Sequence, residues 1–209
     1  MTRGARLLGL LALLGPRLAQ ADAGLDALLE TNVVSTASRQ AETSSEAPAT
    51  SSTISSDELR RYGIRTLDEA LNFLSLGVVS TNPLHAVEVG ARGVLLTADY
   101  GNHMMVLVNG HLLNEQWNGT AYYERGLGVP IELIDRIEVT LGPGSVLYGS
   151  NAMLGVIQVF TKSARDYKGL HLVGEAELLT SGRLAVGFGH ETTLLGRPVE
   201  ITTQLEYFR

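Results

Sequence analysis

The sequence predicts an α+β domain over residues 51–162, followed by antiparallel strands over residues 163–209. In the first part, capping boxes and helical apolar spacing alternate with short strand patterns. In the second part, alternating segments of roughly ten residues are separated by turn signals, and no helical pattern occurs. The chain therefore divides into a small mixed domain and the start of an antiparallel sheet.

Composition excludes several function classes. The chain has 209 residues, no cysteine and a formal net charge of -6. Disulfide scaffolds, zinc ribbons and thiol nucleophiles need cysteine. An acidic chain without a basic stripe binds nucleic acid poorly, because phosphate neutralisation supplies most of that affinity. No nucleophile elbow, dinucleotide fingerprint, P-loop or H-E-x-x-H pattern occurs, so the sequence predicts no enzyme, no cofactor and no metal site.

Residues 1–21 have the order of a secretory signal peptide. Arg3 and Arg6 precede the apolar run 7–14, and AQA at 19–21 supplies a small-residue cleavage pattern. The run is shorter than the ~20 residues that span a bilayer. We expect removal of 1–21 on export; a terminal helix of a cytosolic protein is the alternative.

Residues 22–50 are mostly small and polar, which is typical of an extended linker. Within them, the segment ETNVVSTASR at 30–39 contains β-branched residues that favour an extended strand. This segment has no predicted partner strand within the linker.

Two short helices are predicted near the start of the α+β domain, after a strand at 51–54. Ser55-x-x-Glu58 is a capping box, and the helix it opens ends at Gly63. Thr66-x-x-Glu69 is a second capping box, followed by apolar residues at helical spacing. Gly77 ends that helix.

Strands account for most of the remaining pattern. The segment 103–108 runs into Asn109-Gly110, the strongest short hairpin signal. In 135–141, Ile137 and Val139 lie on one side and Glu138 and Thr140 on the other. The other elements are short strands at 78–79 and 87–89, one helical turn at 130–133, a turn at 142–144, a buried strand at 155–161, strands at 170–179, 183–188 and 199–207, and turn signals at 181–182 and 196–198.

These segments resemble the plug domain of TonB-dependent outer-membrane receptors. The matching blocks, in the family's order, are ETNVVSTASR at 30–39, ARG at 91–93, VLVNGH at 106–111, and the run of IDRIEV at 134–139, GPGS at 142–145, LYGS at 147–150 and GVIQVFTK at 155–162. Leu141 departs from the arginine of the family's R-G-P step, and Leu154 replaces the first of two glycines. The resemblance implies a plug at 51–162, with a small mixed sheet and short helices, and the first strands of a transmembrane antiparallel barrel at 163–209.

The resemblance also implies partners. The extension 22–50 would carry a TonB box, captured by TonB of the inner-membrane energising complex through strand addition. The residues predicted to bind TonB are Thr31, Asn32, Val33, Val34, Ser35 and Thr36. Arg92 and Glu138 are predicted to anchor the plug in the barrel, whose lumen is polar; solvated strand-edge charges are the alternative.

An aromatic loop between residues 114 and 128 is the predicted ligand contact. It contains Trp117, Tyr122 and Tyr123, and the resemblance places such loops at the plug apex. Aromatic faces with polar tips suit stacking on a small-molecule ligand. Tyr100 is a further candidate. The alternative is that Trp117 caps the plug core, because tryptophan is highly buried on average.

The function that follows is energised uptake of a scarce ligand, such as an iron chelate or cobalamin, across the bacterial outer membrane. The plug would gate the barrel. A stand-alone periplasmic plug-like binding or signalling module is the alternative. A barrel of ~22 strands needs ~400 residues or more, so we expect these 209 residues to be the N-terminal part of a receptor.

Overall fold

The computed structural model describes residues 33–34, 42–43, 50–74, 77–81, 87–95, 100–123, 127–177 and 181–208. The predicted signal peptide and most of the extension lie outside the described residues. The strands are β1 (Val33–Val34), β2 (Glu42–Thr43), β3 (Thr50–Ser55), β4 (Gly77–Thr81), β5 (Val87–Ala91), β6 (Met104–Val108), β7 (His111–Leu112), β8 (Ile134–Leu141), β9 (Gly155–Thr161), β10 (Gly169–Glu177), β11 (Ser181–Leu194) and β12 (Arg197–Phe208). The helices are α1 (Ser56–Arg61), α2 (Leu67–Phe73), α3 (Ser145–Tyr148) and a 3₁₀ turn at Ile131–Leu133. Across the described segments, none of the helices has the length and apolarity to cross a membrane.

The first helix begins as its capping box predicts. The Ser55 hydroxyl accepts from the Glu58 backbone N–H, and the Glu58 carboxylate accepts from the Ser55 N–H at 2.8 Å. The second capping box is wrong, although α2 does begin after Thr66. Thr66 makes no side-chain capping bond, and the Glu69 carboxylate accepts from the Arg65 N–H at 2.7 Å, one residue before the predicted position.

A mixed five-stranded sheet forms the centre of the α+β domain, in the order β3-β8-β9-β6-β7. Strands β6 and β9 are parallel, and the other neighbours are antiparallel. The hairpin predicted at Asn109-Gly110 is confirmed: φ is 48° and 82° at these residues, as a type I′ turn requires.

One face of this sheet packs on α1 and α2 and forms the main apolar core. Leu59 and Leu67 from the helices meet Ile137, Val139 and Ile157 from the sheet, and all five are essentially inaccessible to solvent. Burial of a side chain of this size contributes about 1.5–3 kcal/mol. The opposite face of β8 is also buried, which the alternating pattern does not reveal: Glu138 is fully buried and Thr140 nearly so.

Strands β10–β12 form a separate antiparallel sheet of three. The predicted strands are present, but the turns are shorter than expected. Leu195 and Gly196 alone make the β11–β12 turn, with φ of 52° and 77°, while Arg197 and Pro198 already pair with β11. Ser181 and Gly182 are likewise paired within the sheet. The fold class predicted from the sequence is confirmed.

Candidate functional site

The aromatic loop is fixed to the domain by one buried amide. Asn114 is 6% exposed, and its Oδ1 accepts from the Val106 N–H at 2.7 Å. Its Nδ2 donates to the carbonyls of Met104 at 3.0 Å and Gly119 at 2.7 Å. The side chain therefore ties the loop to β6 at two points and to the loop's own backbone at a third.

The loop tip presents a fully exposed tryptophan. The Glu115 carboxylate accepts from the backbone N–H groups of Trp117 and Asn118, each at 3.0 Å. Backbone bonds from Glu115 to Thr120 and from Gly119 to Glu115 close the turn. The Trp117 side chain is 94% exposed, so the alternative that it caps the core is wrong.

The two tyrosines that follow point in opposite directions. Tyr122 is 66% exposed, whereas Tyr123 is 1% exposed and donates its hydroxyl to the Gly101 carbonyl at 3.0 Å. Adjacent residues of an extended segment face opposite sides, and Tyr123 takes the inner one. Its predicted role in ligand contact is therefore corrected to a core role.

Two further segments meet the aromatic loop at the same end of the sheet. Tyr100 is half-buried in a turn with φ of 58°, and its carbonyl accepts from the Thr120 hydroxyl. Asn151 donates from Nδ2 to the carbonyls of Asn102 at 3.1 Å and Gly119 at 2.9 Å. The end of the sheet is therefore a braced surface that carries Trp117 and Tyr122 outward.

The two residues predicted as plug anchors make contacts inside the α+β domain. Arg92 is exposed and donates from Nη2 to the Leu141 carbonyl at 3.3 Å. Glu138 accepts from Arg136 Nε at 2.9 Å and is fully buried, so the alternative of a solvated charge is wrong for this residue. Their role against the barrel stays a prediction.

An ion-pair cluster that sequence reasoning missed joins the domain to the strands. Arg183, on β11, points to the inner face and is 8% exposed. Its Nη1 and Nη2 donate to Oε1 and Oε2 of Glu132, in the 3₁₀ turn, at 2.5 and 2.6 Å. Glu175 on β10 and Glu206 on β12 accept from the same two nitrogens. The only sequence signal was a charged residue at an inward position of a strand.

Polar neighbours complete this cluster. Gln204 donates from Nε2 to Glu132 and Glu206, each at 2.8 Å, and its carbonyl accepts from the Tyr167 hydroxyl at 3.1 Å. Burial alone would raise the pKa of Glu132, but the hydrogen bonds from Arg183 and Gln204 outweigh burial and hold that pKa below its ordinary value. The carboxylate is therefore ionised at neutral pH.

The segment between β9 and β10 passes closely over β11. A Cβ on Gly187 would lie 2.2 Å from the Tyr167 hydroxyl oxygen, and one on Gly189 would lie 1.8 Å from the Tyr167 carbonyl oxygen. At Gly189 the obstructing atom belongs to the backbone, so only glycine leaves room for this approach there. At the start of this segment, Lys162 donates from Nζ to the Glu132 carbonyl at 2.7 Å, a bond within the α+β domain.

Taken together, an α+β domain is seated on the polar face of an antiparallel sheet whose other face is apolar. This is the arrangement of a plug and the beginning of an outer-membrane barrel. Residues 43–156 match the TonB-dependent Receptor Plug Domain family, and the chain belongs to that family. It is an outer-membrane protein of a family of receptors and transporters, not of enzymes.

Similar sequences include a vitamin B12 transporter and an iron-regulated outer membrane virulence protein of Vibrio species. The Vitamin B12 transporter of Vibrio vulnificus is 31% identical over 142 residues, covering 66% of this chain and 22% of the relative. The Iron-regulated outer membrane virulence protein of Vibrio cholerae is 34% identical over 137 residues, covering 64% and 20%. The chain thus spans about a fifth of the length of these relatives.

Solved structures share the fold at lower identity. The ferripyoverdine receptor of Pseudomonas aeruginosa superposes with a TM-score of 0.62 at 17% identity, over 84% of this chain and 22% of that one. The ferric yersiniabactin uptake receptor of Yersinia pestis gives 0.53 at 21% identity, over 76% and 23%. In both cases the similarity extends to the plug and the adjoining strands.

Proposed function

We propose that this chain forms the plug and the first barrel strands of a TonB-dependent receptor that takes up a scarce ligand across the outer membrane. The observation that carries the proposal is the contact between Glu132 of the plug and Arg183 on the inner face of the strands. A plug that obstructs a polar lumen needs polar contacts with the wall, and this contact is of that kind.

The outer face of β10–β12 is suited to lipid. Side chains at alternate positions are exposed and mostly apolar, whereas the intervening ones face the plug side. The exposed apolar residues of this face include Leu170, Leu172, Leu184, Val186, Phe188, Leu194, Ile201, Leu205 and Tyr207. A sheet that places such a band outward and polar residues inward matches a lipid-facing barrel wall.

The proposed ligand contacts are Trp117 and Tyr122, with Tyr100 beside them. Their exposure on a braced loop leaves two aromatic faces free to stack on a rigid, flat or metal-chelating molecule without a large ordering cost. An iron chelate or cobalamin is the proposed ligand class, in keeping with the names of the relatives and structural neighbours.

The proposed TonB contact is the segment Thr31–Thr36. Of these residues, Val33 and Val34 are described, and they pair antiparallel with Thr43 and Glu42. The expectation that this segment has no partner strand within the linker is therefore wrong. The segment is thus able to form strand pairs through its backbone, as capture by strand addition requires. The division into a signal peptide at 1–21, an extension at 22–50, a plug at 51–162 and barrel strands from 163 belongs to the same proposal.

The decisive experiment compares Val34→Pro with Val34→Ala in the full-length receptor that carries this chain. Proline removes a ladder donor and restricts the backbone of Val33, so Val34→Pro should abolish both TonB binding and uptake of radiolabelled cobalamin or ferric siderophore. Val34→Ala keeps the backbone and should retain both. Equal TonB binding by the two variants would contradict the proposal and favour a plug-like binding module that works without TonB.

A further inference from the structure

The guanidinium of Arg183 donates two hydrogen bonds to the plug and two to the strands. Nη1 donates to Glu132 at 2.5 Å and to Glu175 at 3.2 Å, and Nη2 donates to Glu132 at 2.6 Å and to Glu206. Each terminal nitrogen therefore holds one plug oxygen and one strand oxygen. Such charge-assisted bonds are among the strong ones, and here the Arg183 side chain is 8% exposed while its three carboxylate partners are partly buried.

The strands supply hydrogen-bond acceptors for Arg183 that do not depend on the plug. Glu175 lies directly across from Arg183 on β10, and Glu206 lies on β12, the other neighbour of β11. If Glu132 moves away, the guanidinium still has two carboxylate partners. Opening this contact therefore avoids the large penalty that follows when a buried pair is broken and one charge is left alone.

The plug carboxylate is also opposed by its neighbours. Glu132 and Glu206 accept from the same nitrogen of Arg183 and from the same amide nitrogen of Gln204, so their carboxylates lie side by side. The hydrogen-bonded cluster contains three carboxylates and one guanidinium, and a second cation, the Lys162 ammonium, contacts the Glu132 backbone carbonyl, so carboxylates still outnumber cations by one. Like charges at this spacing repel. Glu175 and Glu206 stay beside Arg183 because all three lie on the same sheet, so the repulsion is relieved when Glu132 moves away with the plug.

We propose that Arg183 forms a reversible latch, in which the strand carboxylates Glu175 and Glu206 compete with the plug carboxylate Glu132 for one guanidinium. The plug is held in register while the latch is closed, and it detaches from this part of the wall without exposing a buried unpaired charge. The latch rests on the proposed function, because it serves a plug that moves during uptake.

A cysteine reporter at Thr66 measures opening of the latch in the full-length receptor. Thr66 lines the cleft that also contains Arg183 and Glu206, and its side chain makes no capping hydrogen bond. The present chain contains no cysteine that would compete. The rate at which a maleimide labels Thr66→Cys then follows the exposure of the cleft, and uptake by the same receptors is measured in parallel.

The latch predicts effects of opposite sign. Glu132→Gln should raise the labelling rate about tenfold, or about 1.4 kcal/mol, because the bidentate plug bond is weakened. Glu206→Gln should lower the rate severalfold, because the closed state loses a repulsion and the open state loses a partner. Glu175→Gln should act in the same direction but less, since its bond is longer and more exposed.

Glu191→Gln is the matched control, because this strand carboxylate pairs with the exposed Arg165 and lies outside the cluster; its labelling rate should equal that of the parent. A purely structural network predicts faster labelling for every cluster variant, so faster labelling of Glu206→Gln overturns the latch. Rates for Glu132→Gln and Glu206→Gln equal to the control also overturn it. If one of these two contrary labelling results is found and uptake is normal, the latch is rejected and the proposed function stands. If the Thr66→Cys parent shows no uptake, the proposed function is rejected.

Discussion

Replacement of Asn114 by alanine tests whether one buried amide holds the aromatic loop. The variant loses three hydrogen bonds, to the Val106 N–H and to the carbonyls of Met104 and Gly119. A net contribution of about 1 kcal/mol for each bond gives an expected loss of about 3 kcal/mol. The inaccessible Val106 N–H adds to the cost, because water cannot replace its lost acceptor.

The assay is equilibrium unfolding of the plug in urea. With a slope of about 1.5 kcal/mol per M, a loss of about 3 kcal/mol lowers the midpoint by about 2 M. Asn118→Ala is the control, because Asn118 lies in the same loop, is exposed, and accepts one bond from the Thr120 N–H at 3.0 Å. A midpoint for Asn114→Ala within ~0.3 M of this control would refute the reasoning, since both changes would then act only on a solvated loop.

Three other predictions concern the plug–strand contact and the ligand. Gly189→Ala should lower the melting temperature of the receptor far more than Gly174→Ala. A Cβ at Gly189 would lie 1.8 Å from the backbone of the segment before β10, whereas the space beside Gly174 is open. Equal melting temperatures of the two variants would argue against close packing at Gly189. Because the folded pKa of Glu132 is lowered, its stabilisation is present above the ordinary glutamate pKa and is lost as pH falls through the folded pKa. Acidification below about pH 4 should therefore weaken the plug contact in the parent but have less effect in Glu132→Gln, as measured by urea midpoints at several pH values. The double variant Trp117→Ala, Tyr122→Ala should weaken ligand binding by about 5–150-fold, or about 1–3 kcal/mol, in a titration with cobalamin or ferric siderophore, and unchanged affinity in a folded receptor would remove the loop from the site.

Several elements follow from the sequence because their causes are local. The capping box at Ser55 and Glu58 begins α1 through bonds that span three residues. Asn109 and Gly110 turn the chain because they tolerate positive φ. The inward–outward alternation of β10–β12 is a property of extended backbone, so the apolar outer face can be read from residue spacing alone. The blocks between 91 and 162 that carry the family resemblance are local in the same sense, because each one corresponds to a single short strand, turn or helix.

The tertiary structure decided the features that depend on residues far apart in the chain. Glu132 and Arg183 are separated by 51 positions, and only the crossing of the 3₁₀ turn over β11 brings them together. Glu138 has the pattern of an outward strand residue, yet it is fully buried because both faces of β8 are covered. Tyr122 and Tyr123 are the same amino acid in the same loop, yet only Tyr123 is buried. The Tyr123 ring is on the side of the segment that packs against the domain, whereas the Tyr122 ring is on the side that faces solvent. The sequence by itself therefore determined the elements and the family, whereas burial and charge pairing were determined by packing, because both depend on what a neighbouring element places against each side chain.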